Sequence, residues 1–581
     1  MSDPENERVT YVELDFVERR RIRFGARAAL WESSSLKAVR SCGRLIAADQ
    51  PGLGMEGMAR EVAVKLSPGV RPVAGYGGLA TCGSVWACPR CSAVIAAERA
   101  AAMGEAIRTC VESGGSVYLL TLTLRHSEHD ALADLWNSLS SGWRSLFGVV
   151  AWTGKRSRVE RGKLRPARIG DADIFRVAGL TRTVEVTGGG PAGWHVHIHC
   201  LVFTEATSWS GVIADDWQDR LRWMLPGLEC SQDSEDRYRD WLAGLAFASR
   251  CMIRWKNGLA RKGFECGSAG VDVRRIDDAG AEFLGGYLTK ATYDAAYEYD
   301  AADEVTAGQT RKSGRGGGQP PFRMLYEAML DESVAGWFVR TPRRWDIFQD
   351  EENSGLWLLV DLDTAEVVPV QPPKAWRLWW EYETASKGRR QLIWSRRIKN
   401  PETTRHELWN KILDARGIER DDADIASDEI GGEVLGTIAA SSWYRQMVTR
   451  PVWLADALEA AETGGAEGIS SWMDDRGIDW SPAHSRDVVR ADARSSSRAA
   501  ELICRCDELV SVDTAQFAFS ENTSRRAVAQ HRIHSLEPGL DGLNGVTPGG
   551  QDYDLVGKFE PVTCRAVECC SAIDPGLSCP S

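Results

Sequence analysis

The stretch GWHVHIHCLVF, residues 193–203, sets three histidines at alternate positions inside an apolar run. Alternation with period two is the pattern of a β-strand, in which residues i and i+2 share a face. His195, His197 and His199 therefore point one way, and Val196, Ile198 and Cys200 point the other way, into a core. The whole chain holds only 9 histidines, and a core strand has no need of imidazoles. At about 3.3 Å per residue, neighbouring members of the trio stand roughly 7 Å apart along the strand and the outer two roughly 13 Å apart. Two neighbours can converge on one cation, whereas all three are not expected to share it. The bland alternative is a polar sheet face with solvated histidines.

The segment before it, LTRTVEVT (180–187), also alternates, and GGGPAG (188–193) joins the two as the turn of a β-hairpin. Val184 and Val186 read as core-facing, so Thr183, Glu185 and Thr187 share the other face. Divalent ions of hard or borderline character take an oxygen ligand, and Glu185 is the carboxylate within reach. Parity is consistent with Glu185 lying on the histidine face, although register is not fixed by sequence. An alternating trio with a carboxylate on the neighbouring strand favours a metal over a solvated face.

Composition is that of a globular chain of 581 residues, 43% hydrophobic and 26% charged. No apolar run is long enough to cross a bilayer. The polar, acidic start MSDPENERVT resembles neither a signal nor a transit peptide, so a cytoplasmic location without a membrane partner is expected. Net charge is −12, but it is unevenly spread. Residues 401–581 carry 31 acidic and 17 basic side chains, leaving the front part close to neutral and open to nucleic acid. The 15 cysteines, in a reducing compartment, read as metal ligands or catalytic groups rather than as a disulfide scaffold.

CGSVWACPRC (82–91) supplies Cys82, Cys88 and Cys91, with a C-P-x-C end that suits a metal knuckle. Thiolates favour zinc, and a closed structural site takes four ligands. Cys42, in RSCGR, is the best upstream fourth, because the same Cys-Gly pair recurs there. Buried free cysteines are the plainer alternative. The helix after this cluster, the strand SVYLLTLTLRH (116–126) and the helical DALADLWNSLSSGWRSLF (130–147) follow from their periods. A basic loop, GKRSRVERGKLRPAR (154–168), includes Lys155, Arg156, Arg158, Arg161, Lys163 and Arg165. Placed just before the metal hairpin, it reads as a DNA-phosphate surface. The tryptophans Trp376, Trp379 and Trp380 fall at helical spacing and read as core. Residues 401–485 read as helical.

AGAEFLGGYLTKATYDAAYEY (279–299) reads as a helix. It puts Tyr287 and Lys290 on one face, three residues apart. A phenol beside an ammonium can serve as a nucleophile, the cation lowering its pKa or neutralising charge on a phosphorus centre. Alone this pair is a weak signal, and Tyr293, Tyr297 and Tyr299 are rivals.

Taken together, the strand YLLTLTLRH, the HxHxH strand and the YxxK helix resemble the HUH endonucleases, in the histidine-first order of rolling-circle replication initiators. GLATCGSVWACPRCSAVIAAERA, LTRTVEVTGGGPAGWHVHIHCLVF, EFLGGYLTKATYD and LWWEYETASKGRRQLIWSRRIK are similar to blocks of bacterial rolling-circle plasmid Rep proteins. The likeness spans about residues 40–400 and more loosely reaches 485. It implies an α+β fold with an RRM-like antiparallel sheet and a nickase of plasmid origin DNA, single-stranded or supercoiled. It also implies His197 and His199 as ligands of Mg²⁺ or Mn²⁺, Glu185 as the third, Tyr287 as nucleophile and Lys290 as its helper. His195 is left as a flanking DNA contact or a further ligand. Val196 stands where the family often has proline. Phe283 stands where some members carry a glutamate that activates water at termination, and Glu282, one residue off, is the nearest candidate.

The expected organisation is a zinc module over 1–115, a nicking domain over 116–305, a flexible linker over 306–321, a tryptophan-rich and helical region over 322–485, and a mostly disordered acidic tail over 486–581. Host helicase and polymerase would be further partners. The same chemistry in a relaxase or transposase, or a non-catalytic zinc-ribbon regulator of DNA, are the competing functions.

Overall fold

Strands and helices follow the two hydrophobic periods along much of the chain, and long-range pairing decides the rest. The computed structural model describes residues 14–49, 60–68, 72–212, 232–276, 318–339, 345–349, 356–361, 364, 366–417, 420–427 and 432–483. In chain order its main elements are α1 (Phe16–Ser33), β1 (Glu61–Leu66), β2 (Ala74–Gly77), α2 (Pro89–Glu112), β3 (Ser116–Thr123), α3 (Leu132–Phe147), β4 (Arg158–Glu160) and β5 (Lys163–Arg165). Then come β6 (Val177–Gly190), β7 (Gly193–Thr204), α4 (Gln232–Ala260), β8 (Val271–Ile276), α5 (Pro321–Met329), α6 (Glu332–Val339), β9 (Trp345–Gln349), β10 (Trp357–Asp361) and β11 (Val367–Val370). The last are α7 (Lys374–Ser386), β12 (Leu392–Trp394), α8 (Thr404–Ala415), β13 (Glu433–Ala439), α9 (Pro451–Asp474) and β14 (Trp480–Pro482). Among the described residues no helix is long and apolar enough to cross a membrane.

The chain divides into two compact units, one from residues 1–207 and 247–510, the other from 208–246 and 511–581. In the second, the Trp209 amide donates to Asp240 Oδ1 at 2.5 Å beside the buried Trp209 ring. The first unit holds both clusters of metal-ligating side chains.

Its centre is a five-stranded antiparallel sheet in the order β12–β6–β7–β3–β8. Four even-numbered residues of β7, Val196, Ile198, Cys200 and Val202, are fully buried, as their alternation requires. They join Val184, Val186, Leu120 and Leu122 on the face covered by α3. Burying each such aliphatic side chain is worth about 1.5–3 kcal/mol. Trp255 of α4 closes the same side, its indole Nε1–H donating to Thr123 O at 2.7 Å.

The opposite face changes character along β7. At its far end Leu201 and Phe203 pack under α2 and α8, against Ile107, Trp409 and Ile412. At its near end stand the three histidines. One strand face thus begins as a polar site and ends as a core.

A second sheet, in the order β14–β13–β1–β2, joins the two ends of the described chain. Its core takes Phe24 and Trp31 from α1 and Leu454, Leu458 and Ala461 from α9. The pair Arg20–Glu462, 2.8 Å apart, ties those helices. Segments read from sequence as an N-terminal module and a C-terminal region therefore share one sheet and one core. Residues 401–485 are not all helical: EVLGTIA is β13, and WSP is β14. Short apolar runs of this kind are strand or helix according to their partner, and the partner β1 is distant in sequence.

The basic loop folds as a two-stranded ribbon, β4 paired with β5. A three-stranded meander, β9–β10–β11, precedes α7. The last residues assigned to the linker are ordered: Gln319 and Gly188 exchange backbone hydrogen bonds of 2.9 and 2.7 Å at the tip of the β6–β7 hairpin. The remainder of the linker, the helix read over 279–299 and the tail from 486 lie outside the described residues.

Candidate metal centre on the histidine strand

Register settles what parity left open. Glu185 of β6 stands directly opposite His197 of β7, with Thr183 opposite His199 and Thr187 opposite His195. On the other flank Thr121 of β3 is opposite His199 and Thr123 opposite His197. Glu185 Oε2 lies 2.8 Å from His197 Nε2 and 3.3 Å from His199 Nε2. One ligand atom from each of the three residues lies within 4.8 Å of the others. Burial alone would raise the Glu185 carboxyl, but the charge of His197 and hydrogen bonds from both imidazoles hold it well below the usual carboxylate range. Two imidazole nitrogens and one carboxylate oxygen, converging where a proton is now shared, form a donor set suited to a borderline divalent ion. Three protein ligands also leave positions free for water or a phosphate oxygen.

The surroundings orient the set. His199 Nδ1 lies 3.2 Å from Thr121 Oγ1, a partner that fixes the ring. His197 Nδ1 is buried without a hydrogen-bond partner among the described residues. His195 is not one of the three converging residues, although its ring centre lies 4.9 Å from that of His197. Its Nδ1 lies 2.8 Å from Nε2 of His126, whose own Nδ1 lies 3.0 Å from Ala192 O. Burial, then the charges of His197 and His126, push the His195 imidazole down to about 4. His126, from the loop after β3, was missed by sequence reasoning. Its only signal was position, at the end of a strand that pairs with β7.

The four cysteines meet as well. Cys42 Sγ lies 3.4 Å from Cys91 Sγ and 3.5 Å from Cys88 Sγ, and Cys82 Sγ lies 3.6 Å from Cys91 Sγ. A tetrahedral zinc with Zn–S near 2.3 Å sets its sulfurs about 3.8 Å apart, so the cluster fits zinc with little adjustment. Cys42, Cys88 and Cys91 are buried and Cys82 half-buried. Hydrogen bonds from Cys42, Cys82 and Cys88 hold the Cys91 thiol well below its ordinary value, while hydrogen bonds with Cys42 and then Cys91, together with burial, push Cys82 and Cys88 well up. Shared protons of this kind are what a bound cation displaces. Gly43 and Gly83, each following a cysteine, both take the left-handed backbone, at φ 64° and 63°. The Ser84 amide then donates to Cys82 Sγ at 3.4 Å. A side chain at Gly83 would meet the backbone of Ala423 at 2.8 Å.

With both clusters placed, the relatives of the chain become informative. It is 27% identical over 419 residues to a protein named Protein rep from Streptomyces lividans, a match covering 66% of this chain and 76% of that protein. The chain is similar to a Rep protein. It is also 34% identical over 139 residues to a neomycin resistance protein from Streptomyces cyanogenus, covering 22% of this chain and 30% of that one. No family model and no solved structure matches.

Tyr287, Lys290 and Glu282 lie outside the described residues. The chain leaves the sheet at Ile276, paired with Val117, and rejoins it at Gln319, paired with Gly188. The described residues on either side of that stretch, Ile276 and Gln319, are both bonded to the sheet that carries the triad. The ribbon residues Arg158, Arg161, Lys163 and Arg165 are exposed, as are Lys155 and Arg156 just before them. Glu160 pairs with Arg158 at 3.3 Å and with Arg165 at 3.4 Å, and Arg156 pairs with Glu402 at 2.7 Å. Trp376 and Trp379 are core, at 4% and 5% exposure. Trp380 is half-buried.

Proposed function

We propose that this chain is a plasmid rolling-circle replication initiator of the HUH type, a tyrosine nickase acting on origin DNA. The observation that carries the reading is the convergence of Glu185, His197 and His199 on one point of an antiparallel sheet. Its likeness to a Rep protein gives that convergence a context. Glu185, His197 and His199 would hold Mg²⁺ or Mn²⁺, which when bound polarises a phosphodiester and offsets charge gathering on its oxygens.

Tyr287 is the proposed nucleophile. Its phenol oxygen bonds to phosphorus, the bond from phosphorus to the 3′ oxygen breaks, and that oxygen takes up a proton. The products are a 5′-phosphotyrosine link and a free 3′ hydroxyl that primes synthesis. Lys290, on the same predicted helix face, balances the phenolate. Glu282 is the proposed water-activating residue at termination. His195, neutral near neutral pH, sits with His126 beside the triad as a contact for the DNA. The cations of the β4–β5 ribbon, with Lys155 and Arg156, supply phosphate contacts. The Cys42, Cys82, Cys88 and Cys91 site, loaded with zinc, braces the N-terminal segments.

The test uses the full chain with supercoiled or single-stranded origin DNA and Mg²⁺ or Mn²⁺. A covalent protein–DNA adduct is expected, mapped by mass spectrometry to Tyr287 and absent in Tyr287→Phe. Adduct formation by that variant overturns the nucleophile. Failure of every divalent ion to support nicking favours the zinc-ribbon regulator. Replication of an origin-bearing plasmid separates an initiator from a relaxase.

A further inference from the structure

An open cavity of about 660 Å³ lies between the start of α3, the meander strand β10 and the exposed side of α7. It is lined by Trp357 and Trp380 and by four cations, Lys374, Arg377, Lys387 and Arg389. Among the described residues none of the four is paired with an acidic side chain. The acid in the wall, Glu381, is already engaged: its Oε1 accepts from the Leu132 amide at 2.8 Å and its Oε2 from Trp194 Nε1–H at 2.9 Å. Arg389 is held in place. Its Nε–H donates to Ala385 O at 2.7 Å, and its guanidinium lies 5.2 Å from the centre of the Trp136 ring. Lys374, Arg377 and Lys387 are exposed. A solvated helix face explains scattered cations, but it does not explain four of them lining one concavity together with Trp357 and Trp380.

Position adds to charge. Lys374 Nζ donates to Gly189 O at 3.4 Å, so this wall of the cavity touches the tip of the β6–β7 hairpin that carries Glu185 and His197. Trp194, the residue before His195, is bonded to Glu381 in the same wall. A strand passing round the hairpin tip from the histidine face would meet these cations next. Cations spaced along a groove track a phosphate backbone, and a half-buried indole offers a face to an unpaired base. A duplex hides its base faces, so the indole favours single strands.

We propose that this cavity binds single-stranded DNA flanking the site of nicking, with Lys374, Arg377, Lys387 and Arg389 on phosphates and Trp380 stacking on a base. The inference rests on the nickase reading and adds a binding surface to it.

The test measures fluorescence anisotropy of a labelled thymidine oligonucleotide of about 15 nucleotides, a length suited to such grooves, bound to the full chain over a range of salt. Arg377→Ala with Lys387→Ala is expected to weaken binding about tenfold or more and to flatten the slope of log affinity against log salt by about 1.4, the share of two phosphates. Trp380→Ala is expected to weaken binding roughly 5- to 100-fold with the slope unchanged, and Trp380→Phe to restore most of it. Wild-type affinity and slope in all these variants overturn the proposal. So does equal competition by a duplex of the same length or by thymidine triphosphate. Adduct formation at Tyr287, read in the same samples, separates the two ideas. An adduct with unchanged affinities removes the cavity and leaves the nickase, and altered affinities without an adduct in any divalent ion do the reverse.

Discussion

The cysteine cluster and the histidine triad both gather metal-ligating atoms, but they are built in opposite ways. The cysteines come from three separate segments: the loop after α1, the turn after β2 and the first turn of α2. Three of their four side chains are buried, and four thiols complete a tetrahedron with no position left over. The triad comes from one hairpin, is held by strand register with one bond from Thr121 of the neighbouring strand, and would leave coordination positions free on a bound ion. A cluster that joins distant segments stabilises the fold, whereas one supported by an already formed sheet can lose its metal and keep its shape. The same contrast separates a structural site from one available to a substrate.

The largest effect should fall on the cysteines. Cys91→Ser is expected to lower folding stability by about 4 kcal/mol or more, since metal loss is among the few causes of effects that large. Chemical denaturation with zinc quantified in the same samples checks this, and a stable, zinc-free variant would erase the distinction. Next, Glu185→Gln is expected to weaken Mn²⁺ binding at least about 100-fold, more than the usual loss when only a supporting partner is removed. Its zinc content should stay at the wild-type level, and stability should change by less than ~3 kcal/mol. Calorimetric Mn²⁺ titration beside a melting curve reads both. Gly83→Ala sharpens the contrast from the other side. A left-handed φ and a backbone contact at 2.8 Å should cost roughly 1–3 kcal/mol of stability without changing Mn²⁺ affinity. The smallest effect is expected from Thr121→Val, which removes the partner of His199 Nδ1 and should weaken Mn²⁺ about tenfold with zinc and fold intact.

Local pattern carried much of this architecture. Alternation announced β6 and β7, the alanine-rich period announced α2, and the spacing of Cys82, Cys88 and Cys91 with the Cys-Gly repeat at Cys42 announced the cluster that forms. Parity allowed Glu185 to join the histidines, but only pairing in space decided that it faces His197 rather than a neighbour. His126 reached His195 through a loop whose path no periodicity describes. The sheet built from β1, β2, β13 and β14 was hidden for the same reason. Its strands are short, and the pairing that joins its two halves, β1 with β13, links residues far apart along the chain. Gln319 looked like linker by composition, yet two backbone bonds to Gly188 order it.

The most direct test of the open triad is the yield of covalent protein–DNA adduct from zinc-replete chain treated with a mild chelator, with and without added Mn²⁺. No adduct is expected until Mn²⁺ returns, adduct should then form without refolding, and His197→Ala should form none at any Mn²⁺ concentration. Adduct formed by His197→Ala at the wild-type level would contradict a metal-dependent role for the histidine strand.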